Sequence, residues 1–222
     1  MLSIGKFRKY LIYAIGEILL VVIGILIALS INNSKEAIER KKLERNLYSD
    51  LIEELQIDLG EIQGNRAYNQ KYLSRYKLGS EIILNDSEKK QLDTLAIIAI
   101  ELTKFSDFKN EGSAYQKLMV SGKIDLITND ILNELQSIGI LYNYINRIEQ
   151  NQMQFMYTIV PKITAYVRIN PMQVIQADGL YDYQFQNDIE MLIKIGIEKE
   201  GLYEQAENNL TTLINSLKKN IN

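Results

Sequence analysis

The side chains that do most enzyme chemistry are missing from this chain or scattered along it. Its 222 residues include no histidine and no cysteine. That removes the commonest general base, the commonest transition-metal ligand, the thiolate nucleophile and any disulfide. Catalysis would have to rest on Asp, Glu, Lys, Tyr, Ser or Thr. Acids do occur close together, as Glu53-Glu54, Asp58 with Glu61, and Glu198 with Glu200. On amphipathic helices these positions read as a solvated face and not as an acid–base pair. The phosphate-cradling loops G-x-x-x-x-G-K and G-x-G-x-x-G and the nucleophile turn G-x-S-x-G are absent from the sequence. Tyr142, Tyr144, Tyr157 and Tyr166 fall near one another, and amphipathic rings spaced this way serve packing more often than a ligand pocket. The expectation is therefore no catalytic residue, no cofactor site and no metal site, and a chain that is not an enzyme.

One acid stands out by its surroundings. Leu11 to Ile31 reads LIYAIGEILLVVIGILIALSI, with Glu17 its only charge. About 20 apolar residues at 1.5 Å each cross a hydrocarbon core of roughly 30 Å, so the run predicts a transmembrane helix. A cleavable signal peptide is the alternative, with Ala28-Leu29-Ser30 as the small-residue site, but its apolar region is usually only about 7–15 residues long. Glu17, Val21, Gly24 and Ala28 follow a 4, 3, 4 spacing on one helix face. Gly24 and Ala28 form a small-xxx-small pair that lets a second helix approach closely, which points to self-association or a partner helix. Glu17 reads either as a packing or proton-handling acid within the span or as a side chain that snorkels to the nearer interface and sets helix depth.

Charge sets the orientation. Lys6, Arg8 and Lys9 precede the span, which predicts a cytoplasmic N-terminus and an extracytoplasmic C-terminal domain. Lys35, Arg40, Lys41, Lys42 and Arg45 follow it closely and favour the opposite arrangement. A formal net charge of -3 with no basic cluster argues against a nucleic-acid partner.

The elements that would carry these residues are helical. The organisation expected is a short basic tail over 1–10, the transmembrane helix over 11–31, and a soluble helical domain over 32–222. Within that domain, helices are expected near 34–78, 87–105 with 113–120, 130–160 and 182–218. Tyr48, Ile52, Leu55, Leu59 and Ile62 keep a heptad spacing that resumes at Leu73 and Tyr76 after polar Arg66 and Asn69. Asn85-Asp86-Ser87 would cap a second helix with Leu92, Leu95, Ala99 and Leu102 as its stripe. Ser121-Gly122 would stop a short helix, Gly122 supplying a left-handed cap, and Asn129 would cap the third long helix. These three residues are read as a structural corner. Pro161 would kink or end that third helix, and VRINP and QVIQ could pass briefly for strand. Ile131, Leu135, Ile138, Tyr142, Ile145, Met156 and Ile159 form the stripe of that third helix, and Tyr203, Ala206, Leu210, Leu213 and Leu217 give the last helix its stripe. Short connections favour an all-α fold in which one N-terminal transmembrane helix continues into an antiparallel up-and-down bundle.

Two blocks carry a resemblance. The membrane stretch YAIGEILLVVIGILIALSINN, Tyr13 to Asn33, and SAYQKLMVSGKIDLITN, Ser113 to Asn129, resemble a family of uncharacterised single-span membrane proteins from Bacteroidota. The resemblance implies that the N-terminal helix is retained and that the host is Gram-negative. It implies no activity. Members of that family often carry Asn-Asn-Trp after the span where this chain has Asn32-Asn33-Ser34, which removes an interfacial aromatic anchor.

The functional expectation is a single-pass protein of the inner (cytoplasmic) membrane whose periplasmic helical bundle acts as an interaction or scaffold module. Its partners would be the membrane together with a second copy or another envelope membrane protein. An extracytoplasmic sensor or ligand-binding module is one alternative, and an accessory subunit of a proton-driven or transport complex that uses Glu17 is another.

Overall fold

The computed structural model describes residues 4–109 and 114–221, with side chains from Leu11 onward. The basic tail's Lys6, Arg8 and Lys9 side chains, and Asn110 to Ser113, the last of which opens the second resemblance block, lie outside the described residues. The chain forms two compact units, Met1–Leu47 and Tyr48–Asn222. The first helix, α1 (Ile4–Asn85), contributes to both. After it come α2 (Leu92–Glu101), α3 (Ala114–Ser121), a 3-10 turn (Ile124–Leu126), α4 (Asn129–Tyr166), β1 (Val167–Arg168), β2 (Gln173–Val174), α5 (Ala177–Leu180) and α6 (Tyr183–Ile221). The fold is all-α, its helices packed as a bundle, and the two strands make only a small antiparallel hairpin.

In the first unit, residues 11–43 of α1 are exposed all round. This part of α1 is long and apolar enough to cross a membrane, by length and composition. In the second unit the apolar periodicity is converted into a core. On α1, Tyr48, Leu51, Leu55, Ile62, Leu73 and Tyr76 are buried. Ile52 and Leu59, expected in the seam, are half-buried at its margin. The seam does not lapse at Asn69: that side chain is buried and donates to the Gly196 carbonyl at 2.9 Å. An amide with a partner holds a core position that an unpaired polar group could not. The helices approach closely there: a Cβ on Gly196 would lie 3.1 Å from Leu73 Cδ1.

Several helix bounds differ from those read off the sequence, each for a tertiary reason. α1 continues to Asn85 rather than ending near 78, since Gly79 lets α2 pack against it; a Cβ there would sit 2.8 Å from Ile98 Cγ2. α2 starts at Leu92 rather than near 87, because the Asp86 carboxylate first accepts the Lys90 and Gln91 N–H groups at 3.0 and 2.7 Å. It stops at Glu101, where the Tyr76 hydroxyl takes up the Glu101 and Lys104 carbonyls. Pro161 does not end α4, which runs on to Tyr166. Pro161 and Tyr157 both lie on an exposed face, so the carbonyl deprived of its usual N–H faces water.

α6 runs opposite to both of its long neighbours. Against α1, Ser80 meets Glu190, Asn69 meets Gly196 and Arg66 meets Glu207. Against α4, Lys162 meets Asp188, Gln152 meets Lys199 and Glu149 meets Tyr203.

Candidate functional site

Polar groups are concentrated where the segment between α2 and α3 crosses the middle of the bundle. Residues 104–109 belong to no helix or strand, yet Ser106 and Phe108 are buried. Two side chains of α4, Glu149 and Gln152, and two of α6, Lys199 and Tyr203, meet them there, all buried. The Phe108 N–H donates to both carboxylate oxygens of Glu149, at 3.1 and 3.0 Å. Glu149 also accepts from the Tyr203 hydroxyl, which in turn lies 2.9 Å from Ser106 Oγ. The Lys199 ammonium donates to the Ser106 carbonyl at 3.1 Å and to Gln152 Oε1 at 2.7 Å. On the outside, the Asp107 N–H donates to Asn65 Oδ1 of α1 at 3.2 Å. The Phe108 ring packs edge-on against Tyr142 with centroids 4.8 Å apart.

Burial governs the charges. It lifts the Glu149 carboxyl above its ordinary value against the pull of the Tyr203 hydroxyl and Lys199. It holds the Lys199 ammonium down to about 8, with Glu149 and Asp107 opposing. Tyr203 is pushed well above the ordinary phenol range, first by burial and then by the Glu149 charge. Each group is thus displaced towards its neutral form, as expected where desolvation exceeds the compensating contacts.

The cluster was not visible as a site in the sequence, although its members stand where apolar residues are due. Glu149 and Gln152 continue the stripe Ile138, Tyr142, Ile145 towards Met156 and Ile159, and Lys199 sits one turn before Tyr203 in the stripe of α6. A polar residue at a core register position was the available signal.

Of the paired acids, Glu53, Glu61 and Glu198 are exposed as on a solvated face, while Glu54, Asp58 and Glu200 are more engaged. Asp58 accepts from the Tyr142 hydroxyl at 2.8 Å and is raised by burial, while Glu54 pairs with Lys117 of α3. Glu200 and Glu207 grip Arg66 at 2.6 and 2.8 Å, and Glu198 accepts from Tyr144 at 2.7 Å. Among the described residues no group of acids has the arrangement to hold a metal ion.

Glu17, Val21, Gly24 and Ala28 all lie exposed on α1 in the first unit, and a Cβ on Gly24 would meet nothing within 4 Å. Ser121, Gly122 and Asn129 lie in the second unit. Ser121 Oγ donates to the Leu118 carbonyl at 2.7 Å and accepts from the Lys123 N–H at 3.2 Å, and Gly122 adopts φ +68°. Asn129 is the first residue of α4, and the capping position falls to Thr128, whose extended backbone precedes it without a side-chain cap bond.

The outer seam of α4 and α6 holds an open cleft of about 490 Å³. Leu141 and Leu202 contribute apolar surface to it, and Asn143, Tyr144, Arg147 and Gln205 polar groups. The Arg147 guanidinium stacks over the Tyr144 ring at 4.6 Å. No family model, curated protein or solved structure matches this chain.

Proposed function

We propose that this chain is a membrane-anchored interaction protein in which one transmembrane helix over 11–31 holds an antiparallel helical bundle that binds another envelope protein or a second copy of itself. A single observation carries the reading. An 18-residue window of α1 reaches a mean hydropathy of 2.7 and is 0% buried, while the Tyr48–Asn222 unit covers its own apolar stripes. At about 25 cal/mol for each Å² of apolar surface, such a helix in water is strongly disfavoured, and a bilayer removes that cost while the helix satisfies its own backbone. The face of Glu17, Val21, Gly24 and Ala28 supports helix association within the bilayer.

The resemblance to single-span proteins of Bacteroidota favours retention of the helix and an inner-membrane location. The basic tail favours a periplasmic bundle. Crosslinking in intact membranes, followed by affinity purification after gentle solubilisation, tests the interaction role. A dimer, a higher oligomer or one constant partner is the expected product, and a monomer that brings nothing with it contradicts the proposal.

The cleft between α4 and α6 favours a second reading, a ligand-binding or sensory module, because it sets a stacked Arg147–Tyr144 pair beside apolar Leu141 and Leu202. A thermal-shift screen of small anionic and amphiphilic molecules addresses it. Stabilisation that is lost in Arg147→Ala supports the module, and an unshifted melting temperature throughout contradicts it.

A further inference from the structure

The stretch from Phe105 to Lys109 is held by contacts of an unusual kind. Just before it, the Tyr76 hydroxyl pins the carbonyls of Glu101 and Lys104, so the end of α2 is secured without its help. Beyond that pin, the inward backbone bonds run to two buried charges, with Phe108 N–H on Glu149 and the Ser106 carbonyl on Lys199. Those charges form no ion pair with each other among the described residues. They are nevertheless one helical turn from doing so: Lys199 is bonded to Gln152, a turn from Glu149 on α4, and Glu149 is bonded to Tyr203, a turn from Lys199 on α6.

The same two charges can therefore be satisfied in two ways. In one, the strap lies between them and takes a bond from each. In the other, the strap is gone and they neutralise one another directly. An element with two discrete, internally satisfied arrangements is the physical requirement for a switch.

We propose that Phe105–Lys109 is a releasable strap that leaves α4 and α6 while the bundle stays folded, the released state being held by a direct Glu149–Lys199 ion pair. Release withdraws the Phe108 ring from Tyr142 and bares an apolar surface that the closed state hides.

The charges facing Lys199 are Glu149 from α4 and Asp107 from the strap, with the Tyr203 hydroxyl beside it on α6. From α1 come the neutral Asn65, at the Asp107 amide, and Asp58, at the Tyr142 hydroxyl. Lys199 is held down to about 8 in the closed state and would be raised by the direct pair of the released state, so the closed state gains from its deprotonation above about 8 and loses that gain as the pH falls through about 8. Glu149 is raised by burial in the closed state and would be lowered by the direct pair of the released state, so the closed state gains from its protonation at low pH and loses that gain as the pH rises through the raised value. Release is greatest between those limits, around neutrality.

Hydrogen–deuterium exchange on the full chain in lipid nanodiscs tests this. At pH 7 the Phe108 amide should exchange at least about ten-fold faster than the core amides of α4 and α6, as a local opening does, and sub-denaturing urea should not change its rate. After correction for intrinsic rates, its protection should rise between pH 8 and 10.5. In the double variant Asn65→Cys, Asp107→Cys, made in a chain with no cysteine of its own, oxidation should slow Phe108 to the pace of the helices and reduction should restore it. A Phe108 amide that exchanges only in step with the α4 and α6 core, or that is indifferent to the disulfide, overturns the proposal.

Discussion

The two compact units treat the same residue types in opposite ways. Leu20, Val21, Ile25 and Leu26 in the first expose more than half of their surface, whereas Leu55, Ile62, Leu95 and Leu210 in the second expose none. Their acids are reversed as well. Glu17 sits exposed within an apolar run, while Glu149 and the cation Lys199 are sealed in the core and bonded on several sides. In the second unit the protein supplies its own apolar surroundings and pairs what is polar. The first leaves that task to its surroundings, and by length and composition its helix could cross a bilayer.

That contrast can be broken or sharpened by substitution, with denaturant unfolding in nanodiscs as one readout and membrane sedimentation as the other. The largest effect should come from Glu149→Ala or Lys199→Ala, each of which leaves several buried groups without their partner, at about 1–3 kcal/mol for each such group. Neither should alter sedimentation with membranes. Leu55→Ala should cost about 2–5 kcal/mol through its cavity, and the matched Ile23→Ala in the first unit should leave bundle unfolding unchanged. A similar loss from Ile23→Ala would mean that the first unit is packed by protein.

A third effect depends on pH. Lys199 is depressed to about 8, so the bundle should gain stability as pH rises from there towards 10.5, at about 1.4 kcal/mol per unit. Because other groups titrate in that range, the quantity to measure is the wild type relative to Lys199→Met, whose own profile lacks this rise. Smallest is Asn69→Ala, expected to cost about 1 kcal/mol for its bond to the Gly196 carbonyl.

The sequence made the apolar half of this fold legible. Ile131, Leu135, Ile138, Tyr142 and Ile145 on α4, and Tyr203, Ala206, Leu210, Leu213 and Leu217 on α6, are buried where the 3, 4 spacing put them. The polar half was not legible, because its partners are remote. Glu149 stands at a core position of α4, but nothing near it in the sequence names its partner, the Phe108 amide 41 positions away. Lys199 likewise takes its carbonyl from Ser106, 93 positions away. The end of α2 follows the same rule. Leu102 to Phe105 have no helix-breaking residue, and the Tyr76 hydroxyl on α1 redirects them by binding the Lys104 carbonyl. Local preference sets where a helix can start, and a distant donor decides where it stops.

The difference between the units reduces to whether residues 11–31 remain on the chain and in lipid. Alkaline carbonate extraction of membranes from expressing cells, with the intact mass of the extracted protein measured in both fractions, decides it. The expected result is a membrane pellet holding a chain that still carries those residues. A soluble fraction holding a chain that begins after Ser30 would contradict it.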